Sequence, residues 1–201
     1  MKIYICGDST AASYGPEHAP FMGWGQALPD FVPGIPVVNA AMAGRSTKSF
    51  LSEGRLQKIE AEIAADDLLL IQFGHNDTSD LVWRHTDPWT SYQNNLAIFV
   101  DTARQNGARP VLLTPICRRL WRDGALQPVH GDYPQAVRAL AAQRNVPLID
   151  LYQLSFDYVK NLGEAESKRL YVPTDDTHPC RAGAEVLAGM AADQLRALGL
   201  I

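Results

Sequence analysis

Apolar positions gather into five short runs, at residues 3–6, 36–40, 68–73, 110–114 and 147–150, most of them continuous rather than alternating. Continuous runs of this length fit strands buried on both faces, because a half-exposed strand would alternate apolar and polar side chains. Between the runs, apolar positions recur at helical spacing over 25–31, 51–65, 89–106, 133–144 and 181–198. Asp87-Pro88 and Gly107 bracket the third of these as start and stop signals, and Asp132 is placed to cap the fourth. Strands alternating with helices predict an α/β fold built on a parallel sheet covered on both sides. The long irregular stretches are 14–23, 77–87, 116–129 and 161–176. In such sheets the loops that follow strands border the site, so 116–129 is a candidate substrate wall.

Size and charge narrow the picture. A chain of 201 residues predicts one domain spanning 1–201, able to bury roughly 70% of its extended-chain surface without staples. The net charge of −4 comes with no Lys/Arg run, which argues against a nucleic-acid or anionic-membrane surface. Cys6, Cys117 and Cys180 are odd in number and widely spaced, so they form no disulfide framework. No apolar run approaches the ~20 residues needed to span a bilayer. Met1 to Cys6 already reads as a strand rather than a signal segment. Together these features predict a soluble, cytoplasmic protein.

Four segments carry chemistry: Gly7-Asp8-Ser9-Thr10, Ala43-Gly44-Arg45-Ser46, Gly74-His75-Asn76-Asp77 and Asp175-Asp176-Thr177-His178. Three follow predicted strands and the fourth precedes the last predicted helix. Ser9 is a candidate nucleophile at a tight turn that Gly7 permits, with a helix start expected to follow; Asp8 or Ser9 as a plain helix cap is the alternative. Gly44 offers a backbone N–H, and Asn76 a side-chain amide, as oxyanion donors; each could equally be an ordinary turn residue. Asp175 stands three residues before His178, a spacing that lets the carboxylate accept from Nδ1 and leaves Nε2 to face a serine. Asp176 competes for that role, and Asp175 is preferred because its spacing folds back more naturally. The clustered Asp and His residues lack the ligand spacing of a metal site, so no metal is expected.

Around this core, Asp8, Arg45, His75, Arg118, Arg119, Trp121 and His130 are candidate substrate contacts. Arg45 could bind substrate or an acidic neighbour. Arg118 and Arg119 suit a uronate carboxylate, since guanidinium groups bind carboxylates bidentately. Exposed tryptophans could stack on sugar faces.

Taken together, the four segments resemble the sequence blocks of the SGNH (GDSL-like) hydrolases, in order and along almost the whole chain. Within that superfamily the chain is most similar to the rhamnogalacturonan acetylesterases. The cues are Gly7-Asp8-Ser9-Thr10, Gly23-Trp24-Gly25, Ala43-Gly44-Arg45-Ser46, Phe73-Gly74-His75-Asn76-Asp77, Thr114-Pro115 with Arg118-Arg119, and Gly131-Asp132-Tyr133-Pro134. The resemblance implies a flavodoxin-like three-layer sandwich with a five-stranded parallel sheet. It implies Ser9 as nucleophile, His178 as base, Asp175 as its orienter, and an oxyanion hole from Ser9, Gly44 and Asn76. It also implies deacetylation of acetylated pectic oligosaccharides with no cofactor. The competing readings are a short-chain acyl esterase, thioesterase or lysophospholipase of the same fold, and a flavodoxin-like nucleotide- or flavin-binding module. Gly7-Asp8-Ser9 speaks against the last, because it puts an anion where a phosphate loop needs glycines.

Overall fold

The computed structural model describes residues 1–201. Its elements run β1 (Ile3–Gly7), α1 (Trp24–Ala27), β2 (Val37–Asn39), α2 (Thr47–Ser52), α3 (Arg55–Glu60), β3 (Leu68–Gln72), α4 (Gln93–Gln105) and β4 (Arg109–Leu113). A small hairpin of β5 (Trp121–Arg122) and β6 (Ala125–Leu126) follows, then α5 (Tyr133–Arg144), β7 (Leu148–Ile149), α6 (Leu151–Ser167) and α7 (Arg181–Ala197). The five apolar runs all become strands of one sheet, ordered β2-β1-β3-β4-β7 and parallel throughout. This is the flavodoxin-like order, with its switch point at β1 and β3.

Successive side chains of a strand point to opposite faces, and the core divides accordingly. Ile3, Ile5, Leu68, Leu70, Val111 and Leu113 join α1 and α7 in one cluster of 23 buried residues. Tyr4, Cys6, Leu69, Ile71 and Leu112 join α3, α4 and α5 in a second cluster of 22. The two faces are therefore covered about equally, which is why these strands show no polar alternation. A third, smaller cluster packs Cys117, Leu126, Val159, Leu170 and Tyr171 at the outer edge, with Trp121 against it.

Several boundaries differ from expectation. The predicted helix over 51–65 is two helices. Ser46 starts α2 with a reciprocal capping box to Ser49, and Gly54, at φ +67°, breaks the chain before α3. The helix expected from residue 89 opens with a wide π turn, Pro88–Tyr92, before α4 begins. Asp132 precedes α5 but makes no capping bond; its carboxylate accepts from Trp89 Nε1 at 2.9 Å instead. Helix α6 was not anticipated. Asp150 caps it, and Leu151, Ser155 and Val159 form its buried stripe. Gly163 lies inside it at φ 81° and kinks the helix, so the first part of the stretch read as irregular, 161–167, is helical. No helix is long and apolar enough to cross a membrane.

Candidate active site

Ser9 leaves the carboxyl end of β1 in a turn closed by Ala11 N–H and Ala12 N–H donating to Asp8 O at 3.2 and 3.1 Å. No α-helix starts there, contrary to expectation; a short 3-10 turn at Pro16–His18 comes first, and the next α-helix, α1, begins at Trp24. Gly7 also serves differently. It is an extended strand residue whose added Cβ would lie 3.0 Å from Gln72 O, so it permits close approach of β1 to β3 rather than a turn. Tyr14 OH donates to Ser9 O at 2.8 Å and pins the turn from the cleft side.

The candidate base, His178, arrives from the opposite end of the chain. Residues 171–179 form a closed loop, with a bridge between Tyr171 and Pro179. Val172 N–H donates to His178 O at 2.9 Å, and Cys180 N–H to Leu170 O at 3.1 Å. Inside it Asp175 Oδ1 accepts from Thr177 N and His178 N, both at 2.7 Å. Its Oδ2 lies 2.8 Å from His178 Nδ1. The carboxylate requires the proton on Nδ1, which leaves Nε2 as an acceptor 2.9 Å from Ser9 Oγ. Partial burial pushes the Asp175 carboxyl up, but the His178 and Thr177 amides and the imidazole outweigh it and hold the group below the usual carboxylate range. The Phe21 ring meets the imidazole edge-on at 5.3 Å. Asp176 is engaged elsewhere, 2.6 Å from Arg119 Nη1.

Three donors face the same cleft. Gly44, held at φ +81° with nothing within 4 Å of where a Cβ would stand, and Ser9 both have backbone N–H groups that donate to no other protein atom. Asn76 Nδ2 gives one hydrogen to Arg45 O at 3.0 Å and keeps the second. The cleft, about 360 Å³, is lined by Ser9, Tyr14, His18, Phe21, Ala43, Gly44, Asn76, Arg84 and His178. Such a constellation can deprotonate a hydroxyl, attack a carbonyl and hold the charge that forms.

The expected substrate contacts divide. Asp8 and His75 are buried and bonded to each other, Oδ2 to Nδ1, at 3.1 Å. Burial pushes Asp8 up, but His75 and the Thr10 hydrogen bonds prevail and hold it low. The pair therefore braces the Ser9 turn against the β3 loop and does not face the cleft. Arg45 finds its acidic neighbour, with Nε 3.1 Å from Glu53. Arg119 is buried, bonded to Asp176, Ser167 Oγ and Glu164 O, and does not line the Ser9 cleft. Arg118 donates to His75 O at 3.2 Å. His130 is buried edge-on to His75 at 4.8 Å; burial, then the His75 and Arg118 charges, lower its pKa well below the ordinary imidazole value. Trp121 packs against the third cluster. No residue of the 116–129 stretch lines this cleft; Cys117 and Leu126 belong to the third cluster, and the hairpin turn Arg122–Ala125 is exposed. The walls come from 14–21 and Arg84. Sequence reasoning missed Tyr14, Phe21 and Arg84 as site residues, although two of the flagged irregular stretches contain them.

The family model described as "GDSL-like Lipase/Acylhydrolase family" matches residues 5–186. The chain belongs to this family. It is 40% identical to a rhamnogalacturonan acetylesterase of Bacillus subtilis, RhgT, over 100% of this chain and 91% of that protein. A probable rhamnogalacturonan acetylesterase of the same organism, YesY, is 39% identical over 98% of this chain and 94% of its own length. Among solved structures, that of the B. subtilis protein YxiM superposes with a TM-score of 0.89 at 32% identity, over 98% of this chain and 56% of the other. The chain therefore spans about half the length of that protein. An acetylxylan esterase of Geobacillus stearothermophilus, Axe2, shares the fold with a TM-score of 0.73 at 17% identity, over 98% of this chain and 94% of the other. The family membership and the five-stranded parallel sheet agree with the resemblance drawn from the four segments.

Proposed function

We propose that this protein is a serine O-acetylesterase that removes acetyl groups from pectic oligosaccharides of the rhamnogalacturonan type. The observation that carries the reading is the unbroken chain from Ser9 Oγ through His178 to Asp175, at 2.9 and 2.8 Å. Two curated relatives at about the 40% level bear rhamnogalacturonan acetylesterase names, which supports the substrate class.

In this reading Ser9 Oγ attacks the acetyl carbonyl carbon while His178 Nε2 takes its proton. The carbonyl π electrons move onto oxygen, where Ser9 N–H, Gly44 N–H and Asn76 Nδ2–H receive the charge. Collapse breaks the bond to the sugar oxygen, which leaves with the proton from His178. Water, deprotonated by the same imidazole, then releases acetate and restores Ser9. Asp175 stays ionised throughout and stabilises the imidazolium. No step needs a metal or cofactor.

The test is acetate release from acetylated pectic, xylan and chitin oligosaccharides, run beside Ser9→Ala. Pectic oligosaccharides should be turned over fastest, and Ser9→Ala should lose on the order of 10⁴–10⁶ in kcat. Full activity in Ser9→Ala would discard the nucleophile. A preference for octanoyl over acetyl aryl esters would move the protein to the acyl esterases and thioesterases of the same fold.

A further inference from the structure

Asn76 works as an oxyanion donor only if its amide nitrogen, not its oxygen, faces the cleft. A carboxamide can rotate by half a turn with little change in shape, so something must choose. On one side the amide meets Arg45 O, an acceptor that lies 3.0 Å from Nδ2. On the other side Arg84 Nη1 donates to Oδ1 at 3.0 Å. A guanidinium can only donate and a carbonyl can only accept. Rotating the amide would set oxygen against oxygen at Arg45 and N–H against N–H at Arg84, with both hydrogen bonds lost.

Arg84 is itself held. It sits in a turn closed by its own N–H to Leu81 O at 2.9 Å, and its guanidinium lies over the Trp83 ring at 5.3 Å. It lines the same cleft as Ser9 and His178. Its positive charge, bonded to the amide oxygen, also draws electron density away from nitrogen and makes the remaining Nδ2–H a better donor.

We propose that Arg84 is a positioning residue for the oxyanion hole: it locks and polarises the Asn76 amide through its oxygen. The inference rests on the esterase reading above. It uses a residue eight positions beyond Asn76, outside all four catalytic segments.

The experiment is a double-mutant cycle on a small neutral substrate, an aryl acetate, which has no carboxylate for Arg84 to bind. Arg84→Ala should lower kcat roughly tenfold and leave KM within about twofold. Arg84→Lys should recover part of the loss, because an ammonium can still donate to Oδ1. In an Asn76→Ala background, Arg84→Ala should cost less than about twofold, since the amide it serves is gone. Thermal melting of each variant separates this from misfolding. A full tenfold loss in the Asn76→Ala background, an unchanged kcat in Arg84→Ala, or a change confined to KM would overturn the proposal. A wild-type protein with no turnover of the aryl acetate would instead overturn the esterase reading together with it.

Discussion

At the scale of single residues, the two adjacent aspartates have different partners and should have different consequences. Asp175 gives both oxygens to the base and its backbone, whereas the Asp176 carboxylate, 49% exposed, pairs with Arg119. Asp175→Asn would offer an N–H to Nδ1 or force the wrong tautomer. It should lower kcat by roughly three to four orders of magnitude with KM little changed. Asp176→Asn removes a partly exposed ion pair and should stay within about threefold. Steady-state kinetics on one aryl acetate decides, and the reverse order would reassign the orienter.

At the scale of elements, the placement of His178 depends on how α7 is seated. A Cβ on Gly183 would land on the Leu170 carbonyl oxygen, with Pro179 Cβ also at 3.2 Å. Leu170 and Pro179 flank the loop that carries Asp175 and His178. Gly183→Ala must therefore push the first turn of α7 away from that loop, destabilising the fold by about 2 kcal/mol or more. Activity should fall beyond what the stability loss explains. Calorimetry and kinetics at a temperature well below melting check both. The sequence was legible wherever one local rule sufficed. Five apolar runs became five strands, and the candidate nucleophile, base and donors lay in short segments at their ends or before the last helix. It was opaque where distant contacts decide. Arg119 looks identical to Arg118 in sequence, yet is consumed by Asp176, Ser167 and Glu164. Helix α6 buries only a narrow stripe, Leu151, Ser155 and Val159, through contacts with distant parts of the chain. Tyr14 and Phe21 reach the cleft only because of how their loop returns to α1.

At the scale of the whole molecule, the buried Asp77 sets a pH dependence of stability. It accepts from Thr47 N and Oγ1 at 3.1 and 2.6 Å and from Thr86 Oγ1 at 3.0 Å. Burial nevertheless pushes its pKa from 3.8 up to about 7. Below the unfolded value both states hold the proton. As pH rises from 3.8 towards about 7, the unfolded chain releases it and the folded protein does not, so the folded state loses ground. Asp77→Asn keeps the acceptor oxygen and does not titrate. The melting temperature of wild type relative to this variant should fall across that window by on the order of several degrees and then level off. A constant difference from pH 4 to 7 would show that Asp77 is not the group responsible.

The closed loop at 171–179 has one more outcome. Because its bridge and backbone bonds tie Asp175 and His178 into a single cassette, the imidazole and its carboxylate ride together, moored to the rest of the protein by Arg119 on Asp176, Met22 N–H on Pro179 O, Tyr171 OH on Cys117 O and the 2.9 Å contact to Ser9. Warming should loosen that docking before it melts the sheet. Turnover would then fade reversibly at temperatures where far-ultraviolet circular dichroism still reports an intact fold, making catalysis the protein's earliest thermometer.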